Sequence, residues 1–169
     1  MPENVLRNEL IKLRSIVDLV EFHDLIVEDS REEKLRKMDG IYILGETSDN
    51  EDASFVSTRK LLDKGLTEKV LIDNMPEQNG FPGFSAWSER LSRNYQIFPQ
   101  GLEIDTRKGY HTLAEAESLV RHSSKENLKF LYLVAPQFHL IRAFMTASSV
   151  AIRENPELNL FAYPGAEQD

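Results

Sequence analysis

One predicted helix start combines a histidine and an arginine that could do chemistry together. The apolar run Phe130–Ala135 predicts a buried strand, and Pro136 directly behind it is typical of the first residues of a helix. His139 and Arg142 are three residues apart and share one face of that helix. We predict that Gln137, His139 and Arg142 contact a ligand, with Arg142 gripping an anion and His139 acting as acid or base. The structural alternative is a buried histidine bonded to a carbonyl and an arginine paired with an acid.

A second helix start places basic residues beside a polar terminus. Thr112 and Glu115 have the spacing of a capping box, in which hydroxyl and carboxylate satisfy free amides of the first turn. Arg107 and His111 precede it and add positive charge where the helix dipole already favours anions. We predict that these four residues contact a phosphate or carboxylate group. The alternative is that Arg107 offsets a nearby acid such as Asp105.

Acidic residues follow two further apolar runs. Gly45 and Glu46 end the first run, which has one glycine where a dinucleotide-binding fingerprint has three. Asp73 ends the second run, where a carboxylate can bind a ribose, a metal ion or a substrate hydroxyl, or can close an Asx turn. We predict all three residues among the ligand contacts. The alternative for the first turn is a solvated loop in which Asp52 or Ser54 caps the next helix.

Nucleophiles and metal sites have no strong signature in this chain. Ser85, Ser92 and Thr112 lack a recognisable elbow motif, and no histidine pair has the four-residue spacing of a helical zinc site. Glu46, Asp49 and Asp73 could together form a carboxylate metal site, but the acidic cluster after the first apolar run does not have the spacing of a calcium loop, and we predict no bound metal. Because the sequence has no cysteine, thiolate sites and cysteine nucleophiles are excluded.

The elements that position these residues alternate between short apolar runs and helical segments. Strands are predicted at 40–45, 69–73, 101–105, 130–135 and 158–162, and helices near 52–64, 84–95, 112–123 and 137–153. Strands that are apolar on both faces and alternate with helices predict a three-layer, Rossmann-like α/β fold. The sheet would be mostly parallel, with about five strands and helices on both faces. Ligands bind such sheets at the carboxyl ends of the strands, which is where the candidate residues fall.

The N-terminal part of the sequence predicts a helical extension, 1–37, that packs on an α/β domain, 38–169. Its apolar residues recur at three- and four-residue steps, at Leu6, Leu10, Leu13, Val17 and Val20. Charged residues interrupt every apolar run of this stretch, so we expect no signal peptide, no membrane span and a cytoplasmic location. With 20 Lys+Arg against 28 Asp+Glu, the net charge of −8 argues against nucleic acid as a partner.

The order of motifs along the chain resembles the domain shared by the bacterial SanA, YdcF and ElyC proteins. The likeness covers residues 38–164 and rests on Asp39–Gly45, Leu61–Gly65, Val70–Ile72, Gly109–Leu113 and Phe138–Ala143. The resemblance implies a Rossmann-like fold with a site built by Thr112, His139 and Arg142. It also implies a link to cell-envelope integrity and, for a YdcF-like member, binding of S-adenosylmethionine.

The chain also departs from this family. Its members usually have a glycine-rich turn after the first strand and another after the second, where this chain has Gly45-Glu46-Thr47 and Asp73-Asn74-Met75. With fewer glycines, both turns have less freedom to bring the backbone close to a phosphate. The family's arginine in the first crossover helix has only Arg59 near its position, and we find no counterpart of the membrane anchor of SanA-like and ElyC-like members.

Three functions fit these observations. The first is an enzyme acting on a small anionic substrate such as a nucleotide or phosphorylated metabolite, with Arg142 and the Thr112 helix terminus binding the anion. The second is a binding module, for S-adenosylmethionine or a nucleotide, without chemistry. The third is a non-catalytic scaffold or envelope-related interaction protein with a degenerate pocket. The fold does not choose among them, and neither the reaction nor the oligomeric state follows from the sequence.

Overall fold

The structure is a computed structural model that describes residues 37–107 and 109–166. The amphipathic helix predicted within 1–37, and its packing on the α/β domain, lie outside the described residues.

Strands and helices alternate throughout the described ranges. The strands are β1 (Gly40–Ile43), β2 (Val70–Asp73), β3 (Gln100–Leu102), β4 (Phe130–Ala135) and β5 (Asn159–Pro164). The helices are α1 (Glu51–Asp63), α2 (Phe84–Tyr95), α3 (Thr112–Lys125) and α4 (Gln137–Glu154). The strands form one all-parallel sheet in the order β3-β2-β1-β4-β5. The predicted α/β, Rossmann-like fold is thereby confirmed.

The burial of the strands follows their place in the sheet. All residues of β1 and β2 are buried, whereas β3, at one edge, exposes Gln100. Four helices flank the sheet, α1 packing against α2 and α3 against α4. Tyr42 of β1 lies beside Leu71 and Leu133 and is 1% exposed, so its phenol hydroxyl must find a partner inside the protein.

The strand order reverses direction at β1. The chain adds β2 and then β3 on one side of β1, and returns to add β4 and β5 on the other. The connections that leave β1 and β4 therefore run to different parts of the structure, and the carboxyl edge between them is where sheets of this topology bind ligands. Glu46 follows β1, and His139 lies in the first turn of α4 after β4. The topology thus brings two predicted site residues to the place where such sheets bind ligands.

The two edge strands are present, but their bounds differ from the predicted ones. The prediction placed β3 at 101–105, but β3 pairs with β2 from Gln100 to Leu102 and ends there. Beyond it, Asp105 N–H donates to Ser118 of α3. The prediction placed β5 at 158–162, but it extends to Pro164 because it pairs with β4 along the full length of that strand. Edge strands are half-exposed, so their apolar pattern is weaker than that of the central strands.

The helix boundaries agree closely with the predicted ones. Gly65, with a φ of +67°, follows the end of α1 as predicted, because glycine adopts this left-handed conformation without steric cost. The predicted capping by Asp52 or Ser54 is wrong, since α1 begins at Glu51 and its N-cap is Asn50. Among the described residues, no helix is long and apolar enough to cross a membrane.

Candidate functional site

The carboxyl ends of β1, β2 and β4 bring most of the predicted site residues together. Those that meet here are Gly45, Glu46, Asp73, Thr112, Glu115 and His139. They form two neighbouring groups, one centred on an imidazole and one on a pair of buried carboxyls. Together these groups combine an imidazole, a threonine hydroxyl and three carboxyls at one edge of the sheet.

The first group is a chain from a carboxylate through an imidazole to a hydroxyl. His139 Nδ1 bonds to Glu46 Oε1, and the two side chains are only 10% and 8% exposed. On the other side of the ring, His139 Nε2 lies 3.3 Å from Thr112 Oγ1. A carboxylate accepts hydrogen bonds, so it favours the tautomer with the proton on Nδ1 and leaves Nε2 as an acceptor. We call Glu46, His139 and Thr112 the histidine relay.

The start of α3 differs from the predicted capping box. His111, not Thr112, is the N-cap of α3, and its Nδ1 accepts a hydrogen bond from Ala114 N–H at 3.2 Å. The prediction is wrong because the imidazole of the preceding residue supplies the cap. This leaves the Thr112 hydroxyl to bond to His139, while the Glu115 carboxylate turns inward.

The second group is the acid–tyrosine cluster, formed by Asp73, Glu115, Tyr42 and Tyr110. Asp73, which is 0% exposed, accepts hydrogen bonds from Tyr42 Oη at 2.5 Å and from Tyr110 Oη at 2.7 Å. Glu115, which is 4% exposed, accepts one from the backbone N–H of Gly45 at 3.0 Å. Asp73 thus forms neither an Asx turn nor an exposed ligand contact. It is an internal acceptor for two phenols.

Burial controls the electrostatics of this cluster. Removal from water, followed by the charge of Asp73, holds the pKa of Glu115 well above its ordinary value of 4.5. Burial also raises the pKa of Asp73, although the hydrogen bonds from the two tyrosines oppose that change. Burial and the neighbouring carboxylates raise the pKa of Tyr42 and Tyr110 as well, so both remain phenols and donors. Burial therefore makes this pair of carboxyls hold a proton more tightly than exposed acids do.

Sequence reasoning missed both tyrosines. Tyr42 is the single polar side chain in a strand of otherwise apolar residues, and a buried phenol needs a hydrogen-bond partner. That signal points to a polar group on an adjacent strand, and Asp73 at the end of β2 is such a group. Tyr110 comes from the loop before α3, and its sequence context gives no indication of its partner.

Gly45 is required by the close approach of Tyr110. A Cβ added at Gly45 would overlap Tyr110 Oη and would lie 3.1 Å from Asp73 Oδ2. We expect Gly45→Ala to displace the phenol and lower the free energy of unfolding by about 1–3 kcal/mol, the usual cost of overpacking. Urea unfolding of wild type, Gly45→Ala, Tyr110→Phe and the double variant measures this. The double variant should lose less than the sum of the single losses, and strictly additive losses would contradict the assignment.

The basic residues predicted for the site behave differently from one another. Arg107 pairs with Asp105, at 2.8 Å from Nε to Oδ1 and 2.5 Å from Nη2 to Oδ2, which is the structural alternative considered above. That pairing holds the pKa of Asp105 well below its usual range. Arg142 is exposed on α4 and forms no ion pair with any described residue. His111 and Gln137 are also exposed, at the starts of α3 and α4.

The carboxylates of this edge are committed to protein partners. Glu46 bonds to His139, and Asp73 to the two tyrosines. Within 37–107 and 109–166, no group of three or more histidine and acidic side chains is arranged to hold a metal ion.

Comparisons with known proteins give no relative from which a function could be transferred. No protein-family model matches the chain, and a comparison with curated proteins also finds no match. The interpretation of the site therefore depends on its own geometry.

Proposed function

We propose that the protein binds a small anionic ligand at the carboxyl edge of the sheet, and that His139 acts on it as acid or base. The ligand would be a nucleotide, a phosphorylated metabolite, or S-adenosylmethionine bound through its carboxylate. One observation carries the proposal: the histidine relay holds the imidazole through Nδ1 on a buried carboxylate and leaves Nε2 beside the half-buried Thr112. This is the arrangement of a positioned general base, since the carboxylate fixes both the tautomer and the orientation of the ring.

The guanidinium of Arg142 and the N-termini of α3 and α4 favour an anion at this edge of the sheet. Arg142 lies three residues after His139 and has no carboxylate partner among the described residues, so its guanidinium is available to a ligand. Helical side chains lean toward the N-terminus of their helix, which directs Arg142 toward the site. The first turns of α3 and α4 both lie at this edge, and their free amides add favourable partial charges.

The acid–tyrosine cluster lowers the electrostatic cost of such a ligand. Without a retained proton, Glu46, Asp73 and Glu115 would together place three negative charges beside it. Burial raises the pKa of both Asp73 and Glu115, which favours a retained proton on this pair and would remove one of these charges. An anion can therefore bind at this edge although the chain carries a net charge of −8.

Membership of the SanA/YdcF/ElyC-like family and a cytoplasmic location are part of this proposal. The motif residues that the resemblance rests on, Thr112, His139 and Arg142, lie at the starts of α3 and α4. This placement supports a site shared with that family.

The alternative function, a non-catalytic scaffold or interaction protein, is favoured by the exposed apolar side chains of α4. Phe138, Ile141 and Met145 are 72%, 58% and 53% exposed there.

Thermal unfolding against a ligand panel tests the proposed function. The panel contains S-adenosylmethionine, nucleotides and sugar phosphates, with the wild type compared to His139→Ala/Arg142→Ala. A ligand at 100 times its dissociation constant should stabilise the folded protein by about 2.7 kcal/mol, visible as a higher midpoint. We expect at least one compound to raise the midpoint of the wild type and to leave that of the double variant unchanged.

The control for this experiment is Arg153→Ala, which removes an arginine from the far end of α4. It should respond to the same ligand as the wild type does. Each shift is taken relative to the midpoint of the same variant without ligand, because His139→Ala leaves Glu46 without its partner. No shift with any compound would overturn the ligand-binding proposal and leave the scaffold alternative.

A further inference from the structure

We propose that Thr112 is the nucleophile of an acyl-transfer reaction, activated by His139 and oriented through Glu46. The substrate class is a carboxylic ester or thioester that carries an anionic group. The inference rests on the proposed function, because that anionic group would occupy the same edge of the sheet.

The geometry of the histidine relay is that of an activated hydroxyl. Such sites place the nucleophile within about 2.6–3.2 Å of a base that a third group orients, and the distance is often longer without ligand. Thr112 Oγ1 lies 3.3 Å from His139 Nε2, and Glu46 holds the opposite nitrogen. Unlike a serine elbow, which is one strand-to-helix turn, this arrangement joins the loop after β1 to the first turns of α3 and α4. Glu46 and His139 are 93 residues apart in the chain.

In the described part of the chain, the Thr112 hydroxyl neither caps its helix nor bonds to the backbone. Thr58 and Thr146 each donate to the backbone carbonyl four residues earlier, at 2.8 Å, as helical threonines commonly do. Thr112, by contrast, bonds to the imidazole and is not needed to cap α3, since His111 does so. Its side chain is half-buried and therefore open to a ligand on one side.

The helix start also provides donors for the oxyanion that acyl transfer creates. Ala114 N–H donates to His111 Nδ1 and Glu115 N–H to His111 O. In the part of the chain that the structure describes, the amides of Thr112 and Leu113 have no acceptor. An N–H of the residue that follows the nucleophile is a common oxyanion donor.

The reaction would proceed in two balanced steps. Thr112 Oγ1 forms a bond to the acyl carbon while its proton passes to His139 Nε2, and the alcohol or thiol departs with that proton. Water then attacks the threonine ester and gives a proton to His139. The acid leaves as Thr112 Oγ1 recovers that proton. The sequence of steps consumes one ester and one water and needs no oxidant, reductant or metal.

Labelling with an alkyl fluorophosphonate tests whether Thr112 is activated. The probe forms a phosphorus–oxygen bond with an activated hydroxyl and releases fluoride, so the adduct can be located by peptide mass spectrometry. We expect the wild type to be labelled at Thr112. Thr112→Ser should also be labelled, whereas Thr112→Val and His139→Gln should react at least about 100-fold more slowly, as when a member of a catalytic triad is lost.

Thr106→Val is the matched control, because Thr106 is an exposed threonine outside the site. It should be labelled at Thr112 as fast as the wild type is. Circular dichroism melts of every variant show whether each is folded. The inference is overturned if a folded wild type is not labelled, if the adduct lies on another residue, or if His139→Gln reacts at the wild-type rate.

The labelling experiment tests the nucleophile and the ligand panel tests the anionic ligand, so one proposal can be overturned without the other. Anion binding by Thr112→Val, together with an unlabelled wild type, would retain the proposed function and overturn the nucleophile. Labelling at Thr112 without any anion-dependent shift in midpoint would support the nucleophile and overturn the anionic ligand.

Discussion

Glu115→Gln removes a fall in stability that the wild-type protein is expected to show as the pH rises. Burial and the charge of Asp73 hold the pKa of Glu115 well above its ordinary value of 4.5. At a pH between this ordinary pKa and the raised pKa of the folded protein, the folded protein keeps a proton that the unfolded chain releases. Unfolding therefore releases a proton, and raising the pH favours it. This contribution is fully present below about pH 4.5 and is lost progressively as the pH rises toward the folded pKa.

The magnitude follows from the proton count. One proton released on unfolding changes the free energy of unfolding by about 1.4 kcal/mol per pH unit. Glutamine cannot ionise, and its amide can still accept from Gly45 N–H and donate to Asp73, as the protonated acid does. Urea unfolding between pH 5 and pH 8 should show a slope for Glu115→Gln that is shallower by up to about 1.4 kcal/mol per unit. The variant should match or exceed the wild type at the upper end.

Glu117→Gln is the control for this comparison, since Glu117 is also on α3 but is only partly buried. Glu117→Gln should change the free energy of unfolding by about the same small amount at every pH, so that its slope against pH stays that of the wild type. Subtracting the curves also cancels the opposing contribution of His122, whose pKa is lowered by burial. Parallel curves for wild type and Glu115→Gln would show that the acid–tyrosine cluster keeps no proton.

The central elements of the fold can be predicted from the sequence because the environment of each element is uniform along its length. β4 is buried along almost its whole length, and the run Phe130–Ala135 gives its bounds without error. The bounds of α2, Phe84–Tyr95, are also as predicted, since its start follows a loop rich in proline and glycine. β3 is exposed at the sheet edge, so pairing with β2 determines its bounds and local composition does not.

The site could be predicted only as a set of positions at strand ends. The topological rule for parallel sheets places Glu46, Thr112 and His139 at one edge, and the structure brings them together. Which atoms meet depends on tertiary packing over long separations in the chain, which no local pattern records. The start of α3 shows the limit of local rules. Thr112 has the spacing of a cap, but the neighbouring His111 takes that role.

Glu51→Ala should be among the most destabilising single changes in the described part of the chain. Glu51 is 0% exposed in the first turn of α1, accepts a hydrogen bond from Trp87 Nε1 at 2.6 Å and pairs with Arg90. Its loss leaves the buried indole N–H without an acceptor, leaves the guanidinium unpaired and opens a cavity between α1 and α2. Because the Arg90 side chain is 43% exposed and can be solvated, the loss comes chiefly from the unpaired indole N–H, which typically costs about 1–3 kcal/mol, and urea unfolding at neutral pH would measure it.

Two further variants separate the causes of that loss. Glu51→Gln keeps an acceptor for Trp87 but removes the charge that Arg90 requires, so its loss should fall between those of wild type and Glu51→Ala. Glu89→Ala breaks an exposed pair with Arg93 on α2 and should change the free energy of unfolding by less than about 1 kcal/mol. A loss for Glu51→Ala no larger than that for Glu89→Ala would mean that this contact does not hold α1 on α2.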